Sequence, residues 1–323
     1  MKNIYIIGAG AFGTAIANQL AFDTGNSVCL ICRSEGQAAE ISQNHTNLRY
    51  FPNKMLHEAL KATASVSALS NADIVFMALP TAALQENITV LKKEIPLKAL
   101  VVNLSKGIFK NGRTLVDYLL EALDNRNVVT MKGPTFAVEL INNEHSLFTL
   151  GYKTEDQYNL ISNLIEKTNI QIDSTTDIKG VELLSALKNI YAIVIGIVDA
   201  QYNAINTRHM ILTKAFSEIR VLLLALGGNE DTLFLGCGYG DFGLTALNDM
   251  SRNRTLGLLI GKGFYNSDVT KSSVVLEGLR TIDLISAATD EKTKTQIPLF
   301  NKLEYFFRNK ESKFKVHFNS LFE

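Results

Sequence analysis

Six residues near the amino terminus limit this chain more than any others: Gly8-Ala-Gly-Ala-Phe-Gly13. They follow an apolar run over residues 4–7 and open a stretch in which Ala15, Ile16 and Leu20 recur at helical spacing. In a strand–turn–helix context each glycine has a task. Gly8 permits the tight turn, Gly10 lets the backbone approach a pyrophosphate, and Gly13 lets helix and strand pack closely. Ala11 and Phe12 complete the turn, whose helix N-terminus offers free N–H groups and a partial positive charge to an anion. The pattern predicts a dinucleotide cradle. A ribose-gripping acid belongs about 20 residues past the last glycine, but Arg33 and Ser34 stand there. An arginine suits the additional 2′-phosphate of NADP(H), and Glu35 beside it keeps NAD(H) open.

Further apolar runs at 28–31, 73–79, 100–104, 128–131 and 146–150 alternate with helical patterns, which implies parallel pairing and right-handed crossovers. After Asp177-Ile-Lys-Gly180 the strand signal stops. Leu184, Leu187, Tyr191, Val194 and Val198 form one helical stripe, and Met210, Ile219, Leu222 and Leu223 fall in a second helix. Further helical runs cover 256–260, 275–288 and 298–308, with the glycine-dense stretch 236–240 read as a loop. The expected fold is α/β: a Rossmann-type, doubly wound, mostly parallel sheet over 1–179, then an all-helical domain over 180–323.

Thirty-two Lys and Arg balance thirty-two Asp and Glu. Zero net charge excludes a bulk electrostatic attraction to nucleic acid or an anionic membrane, so an anionic ligand has to be caught by a few local cations. No uninterrupted apolar run reaches the roughly 18 residues of a membrane helix. Cys29 and Cys32 spell C-x-x-C, but on a strand they lie roughly 10 Å apart on opposite faces. With Cys237 they indicate a reduced, cytoplasmic protein. The five histidines show no ligand spacing, and no metal site is expected.

Two lysines stand where lysines are costly. Lys106 lies just past the strand over 100–104, at the end of an open α/β sheet where ligands bind; the alternative is a plain surface lysine. Lys188 interrupts Leu184-Ser-Ala-Leu-Lys-Asn-Ile-Tyr, a helix apolar on almost every side. There it serves either as a proton-transfer group or as a lysine snorkelling to solvent. Asp241, closing the glycine stretch, would hold such a lysine charged. Ser251-Arg252-Asn253-Arg254 offers a hydroxyl, an amide and two guanidinium forks suited to phosphate, or else a helix cap with an exposed basic turn. Gly133-Pro-Thr135 follows another strand and could present N–H groups to an anion. Gly257-Leu-Leu-Ile-Gly261-Lys262 has a Walker-like look but the wrong spacing, and is discarded.

Taken together, GAGAFG at Gly8, NLRYFP from Asn47, SKGI at Ser105, GPTFAVE from Gly133, DIKGVELLSALKN from Asp177, GYGDFGLT from Gly238, SRNR at Ser251 and the pair Glu277-Gly278 resemble the soluble NAD(P)-dependent glycerol-3-phosphate dehydrogenase family. The resemblance runs across nearly the whole chain in the family's order. It implies reversible reduction of dihydroxyacetone phosphate to sn-glycerol 3-phosphate, feeding glycerophospholipid synthesis. It implies that Lys188 transfers the proton, that Lys106 binds and polarises the substrate, and that Asp241 orients the lysines. Ser251, Arg252 and Asn253 would hold the phosphate region, and Gly133 and Thr135 would line the substrate. Ala137, Arg252 and Glu277, with Lys106, would touch the cofactor, and Arg33 its adenosine end. The implied partner is a small phosphorylated triose, with neither nucleic acid nor an integral membrane segment, and a homodimer is the candidate assembly.

Four positions depart from the family's pattern: Thr135 replaces a serine, Lys214 and Ala215 make Thr213-Lys214-Ala215 out of T-R-G, and Tyr239 enlarges an aliphatic position. Two rivals stay in view. A 3-hydroxyacid-type dehydrogenase would want a carboxylate site in place of the SRNR clamp. A non-catalytic NADP-binding sensor would have lost Lys106, Lys188 and Asp241.

Overall fold

The computed structural model describes all residues except 125–126, 266–272, 310–313, 317, 319–320 and 322–323; the side chains of 111 and 273–277 also lie outside the described residues. The chain forms two compact units. One comprises Met1–Lys106 and Leu115–Ile178, the other Gly107–Thr114 and Lys179–Glu323. The division therefore falls at 178/179. The excursion Gly107–Thr114, expected with the sheet, belongs to the helical unit, where Ile108 is buried in the helical core.

The first unit is an eight-stranded sheet: β1 (Asn3–Ile7), β2 (Ser27–Ile31), β3 (Lys61–Thr63), β4 (Ile74–Met77), β5 (Leu100–Asn103), β6 (Val128–Lys132), β7 (Ser146–Gly151) and β8 (Ile170–Thr175). Their order is β3-β2-β1-β4-β5-β6-β7-β8. Every pairing is parallel except β6 with β7. The order reverses between β1 and β4, the switch point outside which open α/β sheets bind ligands. Strands β4, β5 and β6 are buried along their whole length, which is why they read as unbroken apolar runs. The edge strands lack that signal. Lys61-Ala-Thr63 is too short to show a pattern, and β8 runs Ile-Gln-Ile-Asp-Ser-Thr with most of its length half-exposed.

Helices α1 (Ala11–Leu20), α2 (Glu35–Asn44), α3 (Thr81–Glu94), α4 (Leu115–Ala122), α5 (Ala137–Ile141) and α6 (Glu155–Ile165) accompany the sheet. The other unit contains α7 (Ile178–Tyr202), α8 (Ile205–Ala225), α9 (Asp241–Leu247), α10 (Arg252–Gly261), α11 (Ser273–Ala288), α12 (Glu291–Lys294) and α13 (Pro298–Arg308). Among the described residues no strand follows Thr175.

Helix α7 is long and apolar enough to cross a membrane, yet it is the core of this unit, and 94% of its apolar stretch is buried. Helix α10 packs closely against it. A Cβ on Gly196 would lie 2.3 Å from the carbonyl oxygen of Arg254, and one on Gly257 would lie 2.1 Å from that of Ile193. The glycines of 257–261 thus sit in a helix, as the helical run over 256–260 predicted, and let its backbone press against α7. The stretch Gly236–Gly240, read as a loop, is not an open one. It forms a single π-helical turn that continues directly into α9, a geometry that often accompanies functional residues.

Candidate active site

The turn after β1 is built largely from backbone. Gly8 adopts φ +114°, and a Cβ there would stand 2.7 Å from the carbonyl oxygen of Ala78. A Cβ on Gly13 would lie 2.0 Å from the oxygen of Gly8, so only glycine lets α1 start against the strand. Gly10, the cap of α1, is different: a Cβ there meets nothing within 4 Å. The approach to the helix start is therefore open at Gly10, with no acidic side chain in the first turn. That arrangement fits a pyrophosphate. Buried Asn47, the first residue of NLRYFP, supports the turn from below. Its amide donates to the carbonyl of Ala9 (3.2 Å) and to Thr14 Oγ1 (2.9 Å), while Gln37 donates to Ala9 as well (2.9 Å). Arg33 is exposed just past β2, beside Ser34, the cap of α2.

Farther along the same sheet, Lys106 follows β5 and is exposed. Gly133 follows β6, and a Cβ there would lie 2.2 Å from the oxygen of Leu147, so close packing against β7 demands glycine. The Thr135 hydroxyl donates to that same oxygen at 3.3 Å. The extra methyl of threonine therefore leaves the hydroxyl engaged with main chain. Ala137 is half-buried at the start of α5.

In the helical unit Lys188 is 2% exposed, and its ammonium pairs with Asp241 Oδ2, which is equally buried. Of the two sequence readings, snorkelling is thereby excluded. Removing two charges from water costs several kcal/mol per ion unless they meet in good geometry. The π-helical turn before α9 delivers the carboxylate to the lysine on α7.

Ser251 caps α10, accepting a hydrogen bond from the Arg254 N–H (3.3 Å). Arg252 is exposed and Asn253 half-buried at the helix start. Arg254, read as a second phosphate fork, is instead an internal tie. It donates to buried Asp199 (2.5 Å), to Asp249 (3.0 Å) and to the carbonyl of Ala246 (3.1 Å). Arg208 holds the other oxygen of Asp199 at 2.6 Å. Helical geometry explains the split, since residues two apart on α10 face opposite sides. Glu277 lies on α11, but its side chain is outside the described residues.

Two departures from the expected pattern also have structural accounts. Lys214 lies close enough to Glu218, one turn along α8, to favour its ionised form. The Tyr239 ring is exposed and packs edge-on against Phe216 (5.8 Å), which stacks on Phe242.

Two buried groups carry no local mark in the sequence. Glu218 is wholly buried on α8, and burial pushes its carboxyl up to about 7. It accepts from the Tyr191 hydroxyl (3.0 Å) and from the backbone N–H groups of Leu299 (2.9 Å) and Phe300 (3.0 Å), so it caps α13 from another helix. Tyr191 lies one turn beyond Lys188 on α7. Lys132 ends β6, and its ammonium donates to the carbonyls of Asn103 (3.0 Å) and Ser105 (2.7 Å).

Comparison with known proteins is consistent along the chain. Residues 3–158 match the profile of the NAD-dependent glycerol-3-phosphate dehydrogenase N-terminus, and residues 177–316 that of the C-terminus. A curated glycerol-3-phosphate dehydrogenase [NAD(P)+] from Methanothermobacter thermautotrophicus is 36% identical over 290 residues, covering 89% of this chain and 88% of that protein. One from Bacillus subtilis is 33% identical over 290 residues, covering 87% and 83%. A crystal structure of glycerol-3-phosphate dehydrogenase from Coxiella burnetii superimposes with TM-score 0.84 at 27% identity, covering 96% of each chain.

Proposed function

The chain belongs to the NAD-dependent glycerol-3-phosphate dehydrogenase family, and on that premise we propose that it reversibly reduces dihydroxyacetone phosphate to sn-glycerol 3-phosphate, with NADP(H) preferred over NAD(H). The observation that carries this reading is the buried Lys188–Asp241 pair. A fixed ammonium in an apolar helix is suited to proton transfer at a developing oxyanion.

The Gly8–Gly13 turn would hold the pyrophosphate of a reduced nicotinamide dinucleotide, which when bound would supply the hydride for the ketone carbon. Lys188 Nζ gives its proton to the carbonyl oxygen as negative charge develops there, and in the reverse direction it takes the proton back. Asp241 remains a carboxylate throughout, holding the ammonium in place before transfer and favouring its reprotonation afterwards. Lys106 binds the substrate and polarises its carbonyl. Arg252 and Asn253, on an α10 start fixed by the Ser251 cap, hold the phosphate, so that binding energy remote from the ketone supports the chemical step. Gly133 and Thr135 line the substrate. Ala137, Arg252, Glu277 and Lys106 contact the cofactor, and Arg33 meets the 2′-phosphate. Exposed Arg252 with half-buried Asn253 at the capped start of α10 favours phosphate over the carboxylate of a 3-hydroxyacid. The product is the backbone of glycerophospholipids, and the proposed setting is a cytoplasmic homodimer.

The direct test mixes the protein with dihydroxyacetone phosphate and NADPH or NADH and follows loss of reduced-nicotinamide absorbance. Turnover is expected with both cofactors and faster with NADPH; no turnover with either would refute the reading. Arg33→Glu should move the preference toward NADH, and an unchanged ratio would show that Arg33 does not read the 2′-phosphate.

A further inference from the structure

We infer that Lys132 is a positioning residue for Lys106, holding the main chain that carries it past the end of β5. This rests on the proposed reading that Lys106 binds the substrate. Lys132 is 2% exposed and ends a strand otherwise buried along its length. An ammonium in such a place costs several kcal/mol of lost hydration unless strong partners replace the water. A methionine would fill the same volume without that cost. What it could not do is donate hydrogen bonds to carbonyls.

The carbonyls that Lys132 grips belong to Asn103 and Ser105. Asn103 is the last residue of β5, where the sheet's regular ladder ends. Ser105 immediately precedes Lys106. The surrounding bonds converge on the same three residues. Ser105 N–H donates to Asn103 Oδ1 (3.0 Å), and the Asn103 amide returns to the Ser105 carbonyl (3.1 Å). Ser105 Oγ donates to the Met77 carbonyl (3.1 Å), and Thr130 Oγ1 to that of Asn103 (3.2 Å). On the far side Thr81 Oγ1 donates to the Lys106 carbonyl (2.8 Å).

The exposed side chain of Lys106 thus leaves a backbone held before and at its own position, and Lys132 is the charged member of that hold. Bonds from an ionised donor are roughly twice as strong as neutral ones. A backbone fixed in advance spares the substrate the entropy of ordering it.

The test is a double-mutant cycle on the full-length protein. Lys132→Met alone should lower kcat/KM for dihydroxyacetone phosphate about tenfold, chiefly through KM, because misplacing one binding group by a fraction of an ångström has effects of that order. The dissociation constant for NADPH, read from nicotinamide fluorescence, should rise by no more than about threefold, because Lys106 is one of several proposed cofactor contacts and the glycine turn is untouched. In a Lys106→Met background, adding Lys132→Met should change kcat/KM by less than about twofold, because the residue to be positioned is gone.

A wild-type kcat/KM in the single variant, or the same loss in both backgrounds, would overturn the inference. Full activity in Lys106→Met would instead defeat the substrate-binding role of Lys106, a separate result. If Lys132→Met does not fold, Lys132→Gln, whose amide can still donate to one carbonyl, enters the same cycle. Failure of both to fold would also overturn the inference, because the lysine would then be supporting the sheet rather than the loop.

Discussion

The glycine turn of the sheet unit and the buried charges of the helical unit place charge-handling groups in opposite ways. In the sheet unit the glycine turn works through main chain: Gly8 and Gly13 are dictated by carbonyl oxygens within 2.7 Å of any added Cβ, and Gly10 leaves the helix start open to approach. In the helical unit the groups are side chains pulled out of water, Lys188 with Asp241, Arg254 with Asp199, and Glu218 with the N–H groups of Leu299 and Phe300. A backbone site tolerates change in side chains but not in Cβ count. A side-chain site tolerates neither the loss of one partner nor a change of ionisation.

The sharpest way to break this contrast is Lys188→Met. Loss of a general acid or base should lower kcat by about 10²- to 10⁴-fold, while NADPH binding stays within about twofold. Because Asp241 would be left buried and unpaired, stability should also fall by about 3–5 kcal/mol. Lys188→Met with Asp241→Asn should recover much of that stability without recovering activity. Stopped-flow turnover and urea denaturation measure the two losses, and a variant that keeps most of its rate removes Lys188 from proton transfer.

The next largest effect separates two glycines of one motif. Gly13→Ala, with a Cβ driven to 2.0 Å from a carbonyl oxygen, should cost several kcal/mol, within the range of severe overpacking. Gly10→Ala should leave the melting temperature within about 2 °C, since surface changes without clashes are nearly neutral, yet weaken NADPH binding about tenfold by occupying the approach to the helix amides. Equal losses of stability in the two variants would show that Gly10 is structural as well.

The smallest effect is a pH dependence. With the Glu218 carboxyl at about 7 in the folded protein against an ordinary 4.5, the folded state keeps a proton between those values that the unfolded chain has released. The associated stability is complete below about pH 4.5 and drains as pH rises to about 7, by up to about 1.4 kcal/mol per pH unit. Tyr191 and Lys214 are the titratable groups that influence it. Glu218→Gln removes the titration, so its stability relative to wild type should rise between pH 5 and 7 and level off above. A constant difference across pH 5–8 would mean that the carboxyl does not titrate there.

The same contrast explains what could be read from the residues. The glycine spacing announced the turn because φ and close packing are demands on single positions, and those demands show in residue type. Lys188 stood out because an ammonium in a helix apolar on every side breaks a periodic pattern. Arg254 did not stand out from Arg252. The two are alike in sequence, and only the direction of α10 against α7 turns one inward to Asp199 and leaves the other exposed. Nor did periodicity find β3 or β8, edge strands whose residues are too few or too polar to carry an apolar pattern.

Local composition thus set the alternation of strands and helices, the change to an all-helical second half, the glycine cradle and the two suspect lysines. These depend on dihedral preference and on apolar period, which act over a few residues. Tertiary packing decided which polar groups are buried and whom they meet: Lys132 with Asn103, 29 residues away, and Glu218 with Phe300, 82 residues away. It also made Gly257, a helical residue, a point of close contact between two helices. The cost of a buried charge is settled by partners that the chain brings from a distance, and no short stretch of sequence contains them.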